Sequence, residues 1–353
     1  MTVEEEQSHL FDGKLRKYED RLVEILLDIA KSKRTTPKMS TIASYLLIHG
    51  NLTQNELKEL TGLSIGTIST YLSVMIGTGN FRKQRIPGTH TFIYSFSGEL
   101  EVLTTRAIEI AISSLGSLES FLKNKREVLK KLIEQSKEGA EHLSQRIEDL
   151  LESFEIYKKI FPPNGTSAEG IQKQSSIKPF KLLKSEQKEV KEIQFDPEVY
   201  LVEDDIINQI LASPMFSTRD PMFIKILGYF ITRKYLTQET IKKITGLSSG
   251  KISEEVNRFL EDDLIHKAEV SSKGKITYYA DSLILLKFSR HIINKMAKWE
   301  KELENMKLDL ENNMSELEIL DGYAQIYKIC DYTLDVTLKY LEYIKRMDNL
   351  VEL

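Results

Sequence analysis

Between residues 37 and 76 the apolar positions recur every three or four residues in three short runs, each bounded by residues that start or stop a helix. Pro37 opens the first run, where a first helical turn tolerates a missing N–H; Ile42, Leu46 and Leu47 supply its buried stripe and Gly50 ends it. Thr53-Gln-Asn-Glu56 has the spacing of a capping box, in which hydroxyl and carboxylate satisfy each other's unpaired backbone N–H groups; Leu57 and Leu60 follow, and Gly62 ends the run. Ser64 is placed to cap a third helix whose apolar face is Ile68, Leu72, Met75 and Ile76. The period then becomes extended. Phe81–Ile86 and Thr91–Phe96 read as strands, and Pro87-Gly-Thr-His90 between them reads as a turn. The pattern predicts two short helices joined by a glycine-bearing turn, followed by a β-hairpin.

This pattern occurs twice. Leu52–Ser69 (LTQNELKELTGLSIGTIS) and Leu236–Ser253 (LTQETIKKITGLSSGKIS) are identical at 11 of 18 positions, at an offset of 184. The offset holds without a gap from Pro37, Ile42 and Tyr45 (against Pro221, Ile226 and Tyr229) to Tyr94 and the helix-start candidate Ser97 (against Tyr278 and Asp281). The second copy keeps the core set Ile252, Val256, Phe259 and Leu260 and a hairpin tipped by Ser271-Ser-Lys-Gly-Lys275. Between the copies, Pro-Pro-Asn-Gly, a Ser/Gln/Lys stretch and the charged run Lys184–Glu192 have linker composition. The expected division is copy 1 at 1–161, linker at 162–200 and copy 2 at 201–353.

A long helical tract follows each hairpin. Ile147, Leu150, Phe154, Tyr157 and Phe161 continue from Leu143 in alternating steps of four and three, as do Trp299, Leu303, Met306 and Leu310. Leu317, Leu320, Ala324 and Tyr327 continue the second seam less regularly. Such stripes do not remain in water, so they are expected to be buried copy against copy or against a second chain, as a homodimer. The fold class is mainly α with small β-hairpin wings: two winged helix-turn-helix domains, each followed by long coiled-coil-like helices.

Composition narrows the classes of function. The 353 residues carry 53 acidic and 49 basic side chains, a formal charge of −4, so any nucleic-acid contact is a local patch. A single cysteine, Cys330, excludes an intrachain disulfide, and six scattered histidines lack ligand spacing; no metal or cofactor is implied. The acidic start and the absence of an apolar run near the ~20 residues of a membrane span suggest a soluble, unprocessed chain of the reducing cytosol.

Leu57 to Tyr71, around the run ELTGLSIGTISTYL, with the strand-turn-strand and long helices that follow, resembles the winged helix-turn-helix transcriptional regulators of the MarR superfamily, in particular the GbsR-like branch. That resemblance implies dimerisation through the flanking helices and one reader helix per protomer in successive major grooves. The tandem departs from the family pattern and looks like a dimer fused into one polypeptide. At Ile65 and Thr70 family members often carry lysine or arginine.

In the first copy the candidate DNA contacts are Ser64, Thr67, Ser69, Thr70 and Tyr71 on the reader helix, whose hydroxyls suit phosphates and base edges, and Arg82, Lys83, Arg85 and His90 on the wing, a stretch without an acid from Asn80 to Ser97. The second copy offers Ser248, Lys251 and Arg258 on its reader helix and Lys267, Lys273 and Lys275 on its wing, but also Glu254, Glu255 and Glu261-Asp-Asp263. It reads either as a second DNA reader of different sequence preference or as a copy retained for packing. The structural alternative for all these residues is that the hydroxyls satisfy helix ends and the cations are solvated.

Other features read as structural. Gly246-Leu-Ser-Ser-Gly-Lys251 is one residue short of a phosphate loop and has Ile252 where a magnesium-binding hydroxyl belongs. Cys330 reads as a packed thiol. Tyr323, Tyr327, Tyr332, Tyr340, Tyr343 and Trp299 carry the side chains of a quaternary-ammonium cage, but helical spacing gives one packing stripe, so no residues are assigned to a small-molecule effector. No nucleophile–base pair is located, so the chain is read as non-enzymatic. The leading expectation is a sequence-specific transcriptional regulator binding double-stranded DNA, its readers about 34–36 Å or 10 bp apart on an imperfect inverted repeat. The alternative is a non-catalytic protein-assembly module, which the acidic second copy suits.

Overall fold

A computed structural model of the chain describes residues 11, 13–77, 79–97, 100–160, 192–216, 219–270, 275–281 and 283–350. The first copy contributes α1 (Gly13–Ser32), α2 (Pro37–His49), β1 (Asn51–Thr53), α3 (Gln54–Thr61), α4 (Ile65–Gly77), β2 (Phe81–Arg85), β3 (Phe92–Phe96), α5 (Leu100–Glu134) and α6 (Ala140–Ile160). The second contributes α7 (Pro197–Ala212), α8 (Pro221–Arg233), β4 (Tyr235–Thr237), α9 (Gln238–Thr245), α10 (Ser249–Glu261), β5 (His266–Val270), β6 (Ile276–Tyr279), α11 (Ile284–Ala297), α12 (Glu300–Asn312), the single turn α13 (Met314–Leu317) and α14 (Tyr323–Leu350). The described residues are mainly helical, with two small antiparallel sheets among them, ordered β1-β3-β2 and β4-β6-β5.

Local signals account for the short elements. Pro37 stands in the first turn of α2, and Gly50, at φ +78°, closes it by donating its N–H to the Leu46 carbonyl. Thr53 and Glu56 form both bonds of the capping box on α3. Gly62 then takes the left-handed conformation, and α3 and α4 diverge by 113° across Gly62–Ser64. The first strand of each sheet is an addition to the expected hairpins. At three residues β1 and β4 are too short to show alternation, yet Leu52 pairs with Tyr94 and Leu236 with Tyr278. Ile42, Leu46, Leu52, Leu57, Leu60, Ile68, Leu72, Met75 and Tyr94 form one core beneath α4.

The packing units cut across the sequence copies. One compact unit comprises the described residues of Met1–Arg106 with Ile292–Glu342, the other those of Ala107–His291 with Tyr343–Leu353. Each unit thus joins the short helices and sheet of one copy to long helices of the other. In the first unit Trp299, Leu303, Met306 and Leu310 are buried, and α12 is tied to α1: the Trp299 indole N–H donates to Asp28 at 2.9 Å, the Tyr18 hydroxyl donates to Asp309 at 2.5 Å, and Arg21 pairs with Glu302. In the second unit Leu143, Ile147, Leu150 and Phe154 are buried, and α6 is tied to α8, with Arg146 Nε donating to the Ile231 carbonyl at 2.8 Å. Phe161, the last position of that seam, lies outside the described residues, as does linker segment 161–191. Pro197–Tyr200, within the span expected to be linker, already belong to α7. The second seam changes phase at the break before α14: Ala324 is exposed, and Tyr323, Ile326 and Cys330 are buried.

The same clamp is built once in each unit. Phe11 lies against Gly322 and Phe195 against Gly139, and a Cβ on either glycine would overlap the ring. Their φ angles of +96° and +86° also favour glycine over any other residue. In the first unit Phe11 stacks on His49, with ring centroids 4.2 Å apart, and His49 Nε2 lies 2.7 Å from a fully buried Glu19. In the second, the Arg233 guanidinium sits 4.3 Å from the centre of the Phe195 ring; its Nε donates to a fully buried Glu203 at 2.8 Å, and a second guanidinium nitrogen also pairs with that carboxylate. Thr232 donates to the same carboxylate at 2.7 Å.

Among the described residues no single helix is long and apolar enough to cross a membrane.

Breaking a buried ion pair from one side leaves the other charge uncompensated, so Glu203→Ala should cost about 3–5 kcal/mol in urea unfolding. His142, whose Nε2 lies 3.1 Å from the Arg233 carbonyl, adds a pH dependence. Burial, reinforced by the Arg146 charge, holds its pKa at about 4 against an ordinary 6.5. The unfolded chain therefore takes up this proton first; the stabilisation is complete above pH 6.5 and is lost as pH falls toward 4. Unfolding of His142→Gln should show a shallower fall over that window than the parent.

Candidate nucleic-acid interface

In the first copy α4 is fixed from below by Ile68, Leu72 and Met75, which leaves its opposite side to solvent. Ser64, Ser69 and Thr70 are exposed, whereas Thr67 is half-buried. The Ser64 Oγ accepts the Thr67 N–H at 3.3 Å and meets the Thr67 hydroxyl at 2.9 Å, so these two residues serve the helix start as well as the surface. Thr70 donates its hydroxyl to the Gly66 carbonyl at 2.9 Å, keeping lone pairs available to an outside donor. Tyr71 packs partly against the core, so it stands at the edge of the face rather than on it. The exposed face continues one turn further than the candidate set, through Ser73 and Val74; Val74 is 48% exposed and Ile65, at the other end, 37%. Helical spacing from Ser69 and Thr70 is the sequence signal for these residues.

The wing cations divide between the two faces of the hairpin. Arg82 is paired across the sheet with Ser95, to whose hydroxyl its Nε donates at 2.9 Å. Lys83 and Arg85 lie opposite Tyr94 and Phe92, on the other face. The Lys83 ammonium sits 3.8 Å from the Phe92 ring centre. Arg85 Nε donates to the Thr89 carbonyl at 2.8 Å, and His90 is 3.4 Å from its guanidinium. All four residues are exposed, and among the described residues no carboxylate pairs with these three cations. Thr53, Gln54, Asn55, His90, Thr91, Phe92 and Tyr94 line a polar cleft between this wing and the start of α3.

The second copy repeats the frame with different surface chemistry. Gly246, left-handed at φ +72°, closes α9, and the Ser248 Oγ accepts the Lys251 N–H at 3.4 Å to open α10, which makes the glycine-bearing run a helix turn. At the 184-residue offset, Thr67, Thr70, Tyr71 and Val74 become Lys251, Glu254, Glu255 and Arg258. Lys251 pairs with Glu254 at 3.0 Å and with Glu255 at 3.2 Å, while Arg258 pairs with Glu255 at 2.9 Å and also with Glu254. The hydrogen bond between them raises the Lys251 pKa and lowers that of Glu254. On the wing Lys275 pairs with Glu239 at 3.0 Å. Lys267 is exposed opposite Tyr278, beside a register shift in β5, and Lys273 lies outside the described residues.

One difference between the copies reaches into the linker. The capping glutamate of the first copy, Glu56, corresponds to Thr240, which has no carboxylate to offer the backbone. Glu192, just before the docked Phe195, takes its place and accepts the Thr237 N–H at 2.5 Å.

The remaining candidates are absorbed into packing. Cys330 is buried, its thiol directed at the Leu303 carbonyl, and burial pushes its pKa up to about 12. The Tyr323 hydroxyl donates to the Leu310 carbonyl, that of Tyr327 donates to Glu311, and Arg21 and Lys298 lie over the Trp299 ring. Among the described residues no group of three or more His, Cys, Asp or Glu side chains is placed to hold a metal ion. No known family model matches the chain, and no curated protein matches it either.

Glu192→Ala should cost about 1 kcal/mol in urea unfolding, the usual worth of a helix-start hydrogen bond. Adding Thr240→Glu, which rebuilds the capping box from within α9, should recover most of that loss.

Proposed function

We propose that the chain is a double-stranded DNA-binding transcriptional regulator in which two unequal winged helix-turn-helix domains, of the kind found in GbsR-like members of the MarR superfamily, are fused as an intrachain pseudo-dimer. One observation carries this reading: the outward side of α4 bears hydroxyl and small apolar groups without a single charge, beside a wing whose three cations have no carboxylate partner among the described residues. Hydroxyls donate to and accept from base edges and phosphates, exposed methyl groups suit the thymine methyl, and unneutralised cations supply the salt-dependent attraction to a polyanion. The divergence of 113° between α3 and α4 across a three-residue turn suits a helix-turn-helix that sends its second helix into the major groove. The linked sheet places the cations on a neighbouring projection. The reading assigns the protein no catalytic step.

A second reading is favoured by one feature. The outer side of α10 carries the exposed carboxylate of Glu254 among its cations, which suits a basic protein partner and a role in assembly.

Electrophoretic mobility shift across a salt series tests the main reading. Binding should weaken steeply as salt rises. Replacing Arg82, Lys83 and Arg85 together by glutamate should abolish it; replacing them by glutamine should reduce the salt slope by about 0.9 for each phosphate left without its cation. Affinity indifferent to both salt and charge reversal would transfer the case to the assembly reading.

A further inference from the structure

The four positions that differ across the reader helices point to a division of labour. The first copy offers Thr67, Thr70, Tyr71 and Val74, the second Lys251, Glu254, Glu255 and Arg258. The quartet in the second copy forms a closed ion-pair set on one side of α10. Its two acids play different parts. The Glu255 side chain is 1% exposed and acts from below, holding both cations to the helix. The Glu254 side chain is 45% exposed, six residues into the helix, at the place Thr70 occupies in α4.

An exposed carboxylate here has a definite consequence in a DNA groove. It accepts hydrogen bonds and donates none, and phosphate oxygens repel it. The major-groove groups able to satisfy it are the exocyclic amino donors, cytosine N4 foremost, whereas guanine offers only acceptors on that edge. We propose that Glu254 is a specificity-determining residue of the second copy: it keeps α10 off the general phosphate backbone and requires a cytosine amino group in one half-site, while the first copy supplies salt-dependent affinity through its hydroxyl face and wing. This inference rests on the DNA-binding reading above.

The exchange it requires is small. Lys251 and Arg258 are partly exposed and bonded to side chains on their own helix, so on binding they can trade a carboxylate for a base or phosphate acceptor. Glu254, relieved of one cation, then takes the cytosine amino donor. On a half-site without that donor the carboxylate oxygen freed by the departing cation stays unsatisfied in the groove, and binding is weaker.

The test is selection of bound duplexes from a random pool with the full chain, in parallel for the parent, Glu254→Gln, Glu254→Ala and the Arg82/Lys83/Arg85 charge-reversal variant, each checked for folding by circular dichroism. The parent should select two unlike half-sites, one with a conserved C·G pair. Glu254→Gln should change that position toward adenine, whose N6 and N7 suit a glutamine amide. Glu254→Ala should lose the preference there, bind random duplex severalfold more tightly than the parent and show a steeper salt slope. The charge-reversal variant should select nothing.

Selection of the same two half-sites by the parent and both Glu254 variants would overturn the assignment of Glu254 and leave the DNA-binding reading standing. A single half-site selected by every binding variant would also overturn it and would favour a basic protein as the partner of α10. A parent that enriches no sequence and binds no duplex would remove the DNA-binding reading and this inference together.

Discussion

Long apolar stripes cannot stay in water, and the way this chain buries them governs the rest of its structure. Trp299, which caps α12, and Leu303, Met306 and Leu310 on it are buried in a unit with α1 of the first copy, and Leu143, Ile147, Leu150 and Phe154 on α6 in a unit with α8 of the second. Each copy supplies the surface that the other copy's long helices need. A separated copy would expose both, so duplication in one polypeptide is part of what makes the fold stable. The two clamps secure this arrangement. A phenylalanine seated on a left-handed glycine and a buried carboxylate joined to a basic side chain recur in both units; the basic side chain is His49 in one and Arg233 in the other, and Thr232 adds a hydroxyl donor in the second.

On that shared frame the two surfaces have diverged. Core positions of α4 and α10 match in character, Ile68 with Ile252 and Leu72 with Val256, because each must fill the same space over its sheet. The outward positions carry little packing constraint, and there the hydroxyl and apolar groups of one copy correspond to Lys251, Glu254 and Arg258 in the other. The linker shows how a missing hydrogen-bond partner is supplied from elsewhere. Thr240 cannot provide the second half of a capping box, and Glu192 reaches the same backbone N–H from the far end of the inter-copy segment.

Local structure was the most legible part of the sequence. Pro37, Thr53, Glu56, Gly62 and Gly246 act within one or two turns of themselves, so their spacing was enough to place helices and turns, and the seams appear in the alternation of four and three. What depends on distant partners was not legible. The short strands β1 and β4 exist only because Leu52 and Leu236 pair with tyrosines about 42 residues away, a separation visible only in the strand register. Nothing in the sequence separates the clamp glycines, Gly139 and Gly322, from other glycines, and the repeated Phe-Asp at 11–12 and 195–196 carries no periodic signal. The copies at 1–161 and 201–353 are units of sequence; packing follows other boundaries, because repetition reports ancestry of the chain and says nothing about which copy covers which stripe. At the candidate site the residue types were legible, but the division of the wing cations between two faces and the capture of Lys251 and Arg258 by neighbouring acids required side-chain positions.

The central claim is that the outer side of α4 meets DNA. A photoreactive amino acid placed at Thr70, with a second protein carrying it at the exposed Leu308 of α12 as the comparison, tests this directly. On irradiation with duplex DNA, the account predicts a covalent adduct from position 70, abolished at high salt, and none from position 308. Equal labelling at both positions, or none at position 70 under conditions where the duplex is bound, would contradict it.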